Sequence, residues 1–411
     1  NAVCSYGYRG FESLPLRQSR CGESMNPVFY NAMVLREPYS GVEVTTHQLA
    51  CALTRFGSLP LCICAPRGHR PIPITSHTRM IRPYGTDRSR LLRILWEQTV
   101  LPVLLKRARA PLLHAPAYVA PRLAPCPVVL TIHDLHVLTH PQFCRADNRL
   151  HYRLLLPPSI RRAAAVIVFS NYTRRVILDR FPEVRDRLVL IPPGLTPNLA
   201  RCTDHARLQS ARQRYALPTS FLLFVGDLTQ RKNILNLIRA FAIVQGERPD
   251  LHLVLAGAAD PATAAVIDNA IRQNAIRHRV SRIGYVSEED LPVLYSLARA
   301  FVFPSHDEGF GLPPLEAMAC GCPVVCSGGA AVENCGDAAV NCDPRDRASI
   351  ASAVSLLLDH PAFRKEKIEA GYRKAAGFSW EKAARATDAL YRSVLSAHGK
   401  HERPADEADG P

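Results

Sequence analysis

The chain has 411 residues, 47% apolar and 21% charged, with 51 Lys and Arg against 36 Asp and Glu for a formal charge of +15. That length can bury two cores, no apolar run reaches the roughly 20 residues of a membrane span, and 13 cysteines, an odd number, do not read as a disulfide framework. The basic excess calls for an anionic partner, but with no aromatic interleaving and no nucleic-acid motif it points to a phosphorylated substrate or a phospholipid surface rather than nucleic acid.

Residues 1–24 lack the apolar stretch of a signal peptide and read as a poorly ordered extension ahead of Met25. Apolar runs bounded by turn residues then recur at 28–35, 59–65, 112–114, 127–132, 164–169 and 188–191. A second series lies at 221–225, 251–256, 282–286, 300–303, 323–325 and 338–341. Strands alternating with helical stretches predict parallel sheets covered on both faces. The polar stretch 195–219 divides the runs six and six, which predicts two doubly wound Rossmann-like domains, 25–195 and 196–379. Their ligand is expected at the carboxyl ends of the strands, in the central cleft that the domains face.

Taken in chain order, SGVE at 40–43 follows the first strand and carries Gly41. The stretch 88–109 sets Leu91, Leu92, Ile94, Leu95 and Trp96 among arginines, a pattern for a basic amphipathic helix on anionic lipid or for a packed helix with a solvated face. TIHDL ends a buried strand at His133, at the cleft edge; one of 15 histidines, it would by itself be an ordinary packed or surface residue. Ser170–Thr173 reads as a helix N-cap. GDLTQRKN at 226–233 delivers Gly226, Arg231 and Lys232 to the start of a helix. Adjacent cations oppose the dipole there, and a diphosphate would account for them. Residues 399–411 are polar and read as disordered.

The most informative block is FVFPSHDEGFGLPPLEAMACGCPVV, residues 301–325. A short strand ends at Pro304, and Pro313 and Pro314 suit the first turn of a helix that runs to a cap at Gly321. Gly309, Phe310, Gly311 and Leu312 therefore form a strand-to-helix turn whose backbone can approach an anion closely. Glu316, one helical turn on, can accept hydrogen bonds from a ribose diol, while Glu308 faces the sugar end. Cys320, Cys322 and Cys326 lack zinc spacing and read as core thiols.

The wording EGFGLPPLEAMACGCPVV closely resembles the E-x7-E signature of the family-4 retaining glycosyltransferases of GT-B fold. The resemblance implies that Glu308 contacts the donor sugar, Glu316 the nucleotide ribose, and Arg231 and Lys232 the donor diphosphate. It further implies that the base lies near Val286 in IGYVSEED, that His133 lies beside the transferred sugar, that Gly41 belongs to the glycine loop of the site, and that a final helix at about 380–398 returns to the first domain. Asp227 stands where some members carry another arginine, and the 40–43 loop has one glycine where many have two. LLRILWEQ and TIHDL are most similar to bacterial mannosyltransferases of surface polysaccharide assembly, such as lipopolysaccharide.

The expected activity is hexosyl transfer from a nucleoside diphosphate sugar, GDP-mannose by preference, to a glycan or polyprenyl-linked acceptor, with no cofactor. No D-x-D pair occurs in the chain, so no metal is expected. The expected place is cytoplasmic, with peripheral contact to an anionic membrane. A nucleotide-sugar 2-epimerase of the same fold is one alternative, and a non-enzymatic basic lipid- or polymer-binding protein is another.

Overall fold

The computed structural model describes residues 26–144, 146–197 and 199–401; the 1–24 extension and the chain beyond 401 lie outside the described residues. The first sheet comprises β1 (Val28–Asn31), β2 (Leu61–Cys64), β3 (Thr78–Ile81), β4 (Leu113–Ala115), β5 (Val128–Ile132), β6 (Ala165–Val168) and β7 (Leu188–Leu190). All neighbours pair in parallel, in the order β3-β2-β1-β4-β5-β6-β7. The second sheet holds β8 (Phe221–Val225), β9 (His252–Ala256), β10 (Val280–Gly284), β11 (Ala300–Phe303), β12 (Val324–Cys326) and β13 (Ala339–Asn341), again parallel, in the order β10-β9-β8-β11-β12-β13. Each order reverses once, between β1 and β4 and between β8 and β11, and ligands of doubly wound sheets bind where the order reverses.

The apolar runs locate twelve strands and miss β3, whose sequence TRMI buries only Thr78. An edge strand needs one apolar face at most, so it leaves no run of buried residues. The run placed at 282–286 sits two residues early in the structure, because Gly284 turns to φ +71° and ends the pairing. Val286 is then released to the cleft wall.

Two apolar cores form. Phe29, Leu130, Leu101, Leu105, Leu156 and Ile160 seal one face of the first sheet beneath the helices Leu101–Arg107 and Ala146–Arg162. The other face joins a core shared with the second sheet through the helix Trp380–His401. In that helix Asp388 accepts from the backbone N–H of Ser58 at 2.9 Å, and the Tyr391 hydroxyl bonds the buried ring of His114. Burial pushes the His114 imidazole down to about 3, so it packs uncharged. The chain passes between the sheets at Gly194, where a Cβ would stand 2.3 Å from the Trp380 nitrogen. Only glycine allows these two crossing segments to touch.

Candidate active site

A cleft of about 470 Å³ opens at the carboxyl ends of β8 and β11 and is closed from the other side by the loops after β1 and β5. All twelve residues singled out in the sequence line it: Gly41, His133, Gly226, Arg231, Lys232, Val286, Glu308, Gly309, Phe310, Gly311, Leu312 and Glu316.

On the second domain the chain leaves β8 through Gly226 and reaches a 3-10 turn, Gln230–Lys232, which Asn233 ends in the left-handed region before the helix Ile234–Gly246. Arg231 and Lys232 thus lie one turn ahead of that helix. The Lys232 ammonium donates to Glu308 Oε1 at 2.6 Å and sits 4.5 Å above the Phe303 ring. Arg231 Nη1 lies 3.0 Å from the same carboxylate oxygen and donates to the Asp307 carbonyl at 2.7 Å. Burial alone would raise the Glu308 carboxyl, yet Arg231 and Lys232 outweigh it and hold it below the ordinary range, so Glu308 is ionised. Burial draws the Lys232 ammonium below the usual lysine value against the pull of Glu308. A buried and a half-buried cation converging on one carboxylate suit a more highly charged anion that enters beside them.

The helix Leu312–Ala319 begins at Gly311, at φ +86°, with Pro313 in its first turn. A Cβ at Gly311 would come within 2.7 Å of the Ala331 methyl group, so both backbone angle and space require glycine. Glu316 is buried in this helix; its Oε1 accepts from Thr196 at 2.9 Å and its Oε2 from Tyr295 at 3.3 Å. Burial raises its carboxyl, while those two hydroxyls act in the opposite direction. A carboxylate has about four lone-pair positions, so two hydroxyl partners leave it capacity for a diol.

On the first domain, His133 directly follows β5, with Nε2 2.8 Å from the Pro116 carbonyl. A carbonyl only accepts, so Nε2 carries the proton, and burial keeps the ring below the usual histidine range. A neutral imidazole with Nδ1 as acceptor results. Beside it, Asp134 is held well below the ordinary carboxylate range: burial opposes ionisation, but the hydrogen bond from His136 and the charge of Arg231 prevail. Gly41 is the first residue of the helix Gly41–Phe56, and a Cβ there would meet nothing within 4 Å.

The domains meet directly at the glycine turn. Ser170 caps its helix by accepting from the Thr173 N–H, and its hydroxyl also donates to the Gly309 carbonyl at 2.9 Å, as does Thr173 Oγ1 at 3.2 Å. Along the cleft wall that carries Val286 and Glu288, Arg70 of the first domain stacks 4.2 Å from the Tyr39 ring, pairs with Glu37 at 2.6 Å and reaches Glu288 of the second domain.

Sequence reasoning missed the groups that hold this constellation. Thr196 and Tyr295 fix Glu316 from far along the chain, and nothing local marks them. Asp134 had a signal in its place beside His133 at the end of a buried strand. Tyr118 lines the cleft at φ +66°, a left-handed tyrosine that only coordinates reveal. Cys320, Cys322 and Cys326 are buried among apolar side chains, and among the described residues no group of His, Cys, Asp and Glu is placed to hold a metal ion.

Comparison with known proteins places both halves of the chain. Residues 39–199 match the model for Glycosyltransferase Family 4 and residues 209–374 that for glycosyl transferases group 1. O-antigen chain mannosyltransferase B of Escherichia coli is 34% identical over 275 residues, 64% of this chain and 70% of that protein. The serotype-specific mannosyltransferase WbdA of Escherichia coli is 29% identical over 265 residues, 63% of this chain but only 32% of its own length. Among solved structures, sucrose-phosphate synthase from Thermosynechococcus elongatus superposes with a TM-score of 0.72 at 24% identity, covering 90% of this chain and 100% of that one. HepE of Anabaena in complex with UDP and glucose gives 0.69 at 17% identity, covering 89% and 99%. These likenesses establish the fold as GT-B. With a relative matched over most of its length and a glycosyltransferase model on each side of the cleft, the chain belongs to glycosyltransferase family 4 and is a glycosyltransferase.

Proposed function

We propose that this enzyme is a retaining hexosyltransferase that moves mannose from GDP-mannose to a hydroxyl of a glycan or polyprenyl-linked saccharide, without metal or organic cofactor. The observation that carries the reading is that Arg231, Lys232 and the 309–312 turn line one cleft at the β8/β11 switch point together with His133. The names of the two Escherichia coli relatives support mannose.

In this reading the diphosphate lies against Arg231, Lys232 and the helix N-terminus, and Glu316 takes the ribose diol. As the bond from the anomeric carbon to the phosphate oxygen breaks, negative charge grows on the leaving group; preorganised donors there contribute roughly 3 to 4 kcal/mol each. The acceptor oxygen bonds the anomeric carbon on the same face, and its proton passes to the departing phosphate oxygen. His133, neutral with Nδ1 accepting, orients a sugar hydroxyl and need not act as a base. Because fixed cations neutralise the diphosphate, transfer from GDP-mannose is expected to persist in excess EDTA. Loss of transfer that magnesium or manganese restores would remove Arg231 and Lys232 from that role.

The same reading includes peripheral contact with an anionic membrane. Among the described residues no helix is long and apolar enough to cross a membrane. The helix Arg90–Leu95 buries none of its residues and exposes Leu91, Leu92 and Leu95 among arginines. Apolar side chains set in positive charge complement an anionic lipid surface. The protein is expected to sediment with phosphatidylglycerol vesicles and not with phosphatidylcholine vesicles; equal binding to both, or to neither, contradicts it.

A further inference from the structure

A second cavity, of about 430 Å³, opens at the other end of the first sheet. Its walls come from the segment 120–128 that leads into β5, from the end of the helix Ala146–Arg162 with the two alanines that lead into β6, and from Arg187 and His398. Strand β5 runs Val128–Ile132, so this amino edge lies roughly 17 Å from the carboxyl edge where His133 follows. The cavity is therefore separate from the transfer cleft.

Its wall is held in place before any ligand arrives. Pro121, Pro125, Pro127 and Pro158 fix their φ angles along it. The Ala120 N–H donates to Ser159 Oγ at 3.1 Å, and the Arg122 N–H donates to Gln98 Oε1 at 3.1 Å. Burial pushes the Cys126 thiol up to about 12, so it adds an uncharged surface. The charge on the wall has one sign: Arg122, Arg162 and Arg187 line the cavity, and none of its lining residues is Asp or Glu. Glu183, on the turn that ends at Arg187, pairs instead with Arg161 at 2.9 Å, and neither of those two lines the cavity.

Backbone carbonyls position two of the three guanidinium groups. Arg162 Nη1 donates to the Arg122 carbonyl at 2.9 Å, and Arg187 Nη1 donates to the carbonyls of Arg161 at 2.8 Å and Ala163 at 2.7 Å. These bonds cap the end of the helix and bring the three arginines together, yet they occupy only Nη1. The Nε and Nη2 donors of Arg162 and Arg187, and the whole guanidinium of Arg122, have no hydrogen-bond or ion-pair partner among the described residues. Three like charges repel one another, and an anion between them reverses the sign of that interaction. The Nε/Nη2 edge of arginine matches two oxygens of a carboxylate or phosphate. A carboxylate has only the two, whereas a phosphate monoester has a third to offer to a second arginine.

We propose that Arg122, Arg162 and Arg187 form a binding site for a phosphate ester, independent of the donor cleft. The same chemistry has two sources, a free ester or the headgroup of a lipid, because Gln98 bonds the cavity rim to the segment that follows the exposed helix Arg90–Leu95. Phosphorus NMR of sn-glycerol 3-phosphate, at up to about 10 mM, probes the first, and sedimentation with phosphatidylglycerol vesicles probes the second, both with GDP present to occupy the cleft. The proteins are the wild type, Arg122→Gln/Arg162→Gln, Arg122→Gln alone, and Arg272→Gln/Arg277→Gln, which removes the same charge from exposed positions of the second domain. Each is checked for an unchanged melting transition, and the single variant decides if the first double variant does not keep it. The wild type should bind at least one probe. Arg122→Gln should weaken that binding about tenfold and the double variant further, as expected for lost hydrogen bonds between charged groups, while the second-domain variant stays within about twofold. A loss with glycerol 3-phosphate assigns a free ester as the source, and a loss confined to the vesicles assigns a lipid. Binding of neither probe to the wild type, wild-type binding by Arg122→Gln, or an equal loss in the second-domain variant overturns the site.

Discussion

Replacing Glu308 with glutamine is expected to abolish transfer and to lower the melting temperature by on the order of 10 °C. The carboxylate is the shared partner of the buried Lys232 at 2.6 Å and the half-buried Arg231 at 3.0 Å. Removing one member of a buried ion pair costs about 3 to 5 kcal/mol, because the remaining charge keeps its desolvation penalty without its partner. In a domain of this size each kcal/mol shifts the melting point by roughly 2 to 4 °C. Two checks isolate the cause. GDP should raise the melting point of Glu308→Gln more than that of the wild type, since its diphosphate returns negative charge to the stranded cations. The double variant Glu308→Gln/Lys232→Met should melt above the single one, because the unpaired ammonium is gone. A Glu308→Gln protein that melts like the wild type would mean that the pair does not hold the two cations in place.

The second large effect is expected at Gly309. Its φ lies outside the left-handed region, so alanine meets no backbone strain there. The obstacle is spatial: a Cβ would stand 2.1 Å from the His133 carbonyl oxygen and 2.6 Å from the Asp134 Cβ. Gly309→Ala must therefore push the glycine turn away from the first domain and weaken the bonds from Ser170 and Thr173 to its carbonyl. A displacement of about 1 Å between reacting groups can cost 10²-fold in rate. Turnover should fall by about that factor, while nucleotide affinity, set mainly within the second domain, should change far less. Wild-type turnover in Gly309→Ala would show that this contact between the domains is not formed during the reaction.

The difference between these two residues also marks what can be read without coordinates. Glu308, Glu316 and the glycine turn are legible because a strand, a turn and a helix follow one another within a single run of chain, so their chemistry is local. Arg231 and Lys232 are legible for the opposite reason: adjacent cations ahead of a helix contradict the local preference, and such a contradiction marks a site. The reason for glycine at 309 is not local, since the atoms it must avoid belong to His133, 176 positions earlier. The same holds for Tyr295 and Thr196 on Glu316 and for Arg70 on Glu288. Strand β3 escapes because an edge position removes the pattern itself.

The configuration of the product tests the central claim most directly. The enzyme would be incubated with GDP-α-mannose and a mannoside acceptor, with a parallel sample lacking acceptor, and both followed by proton NMR. The account predicts a new α-linked anomeric signal together with GDP, formed only when the acceptor is present. A β-linked product would contradict the retaining mechanism, and conversion of the donor without acceptor into a 2-epimer or its products would contradict glycosyl transfer itself.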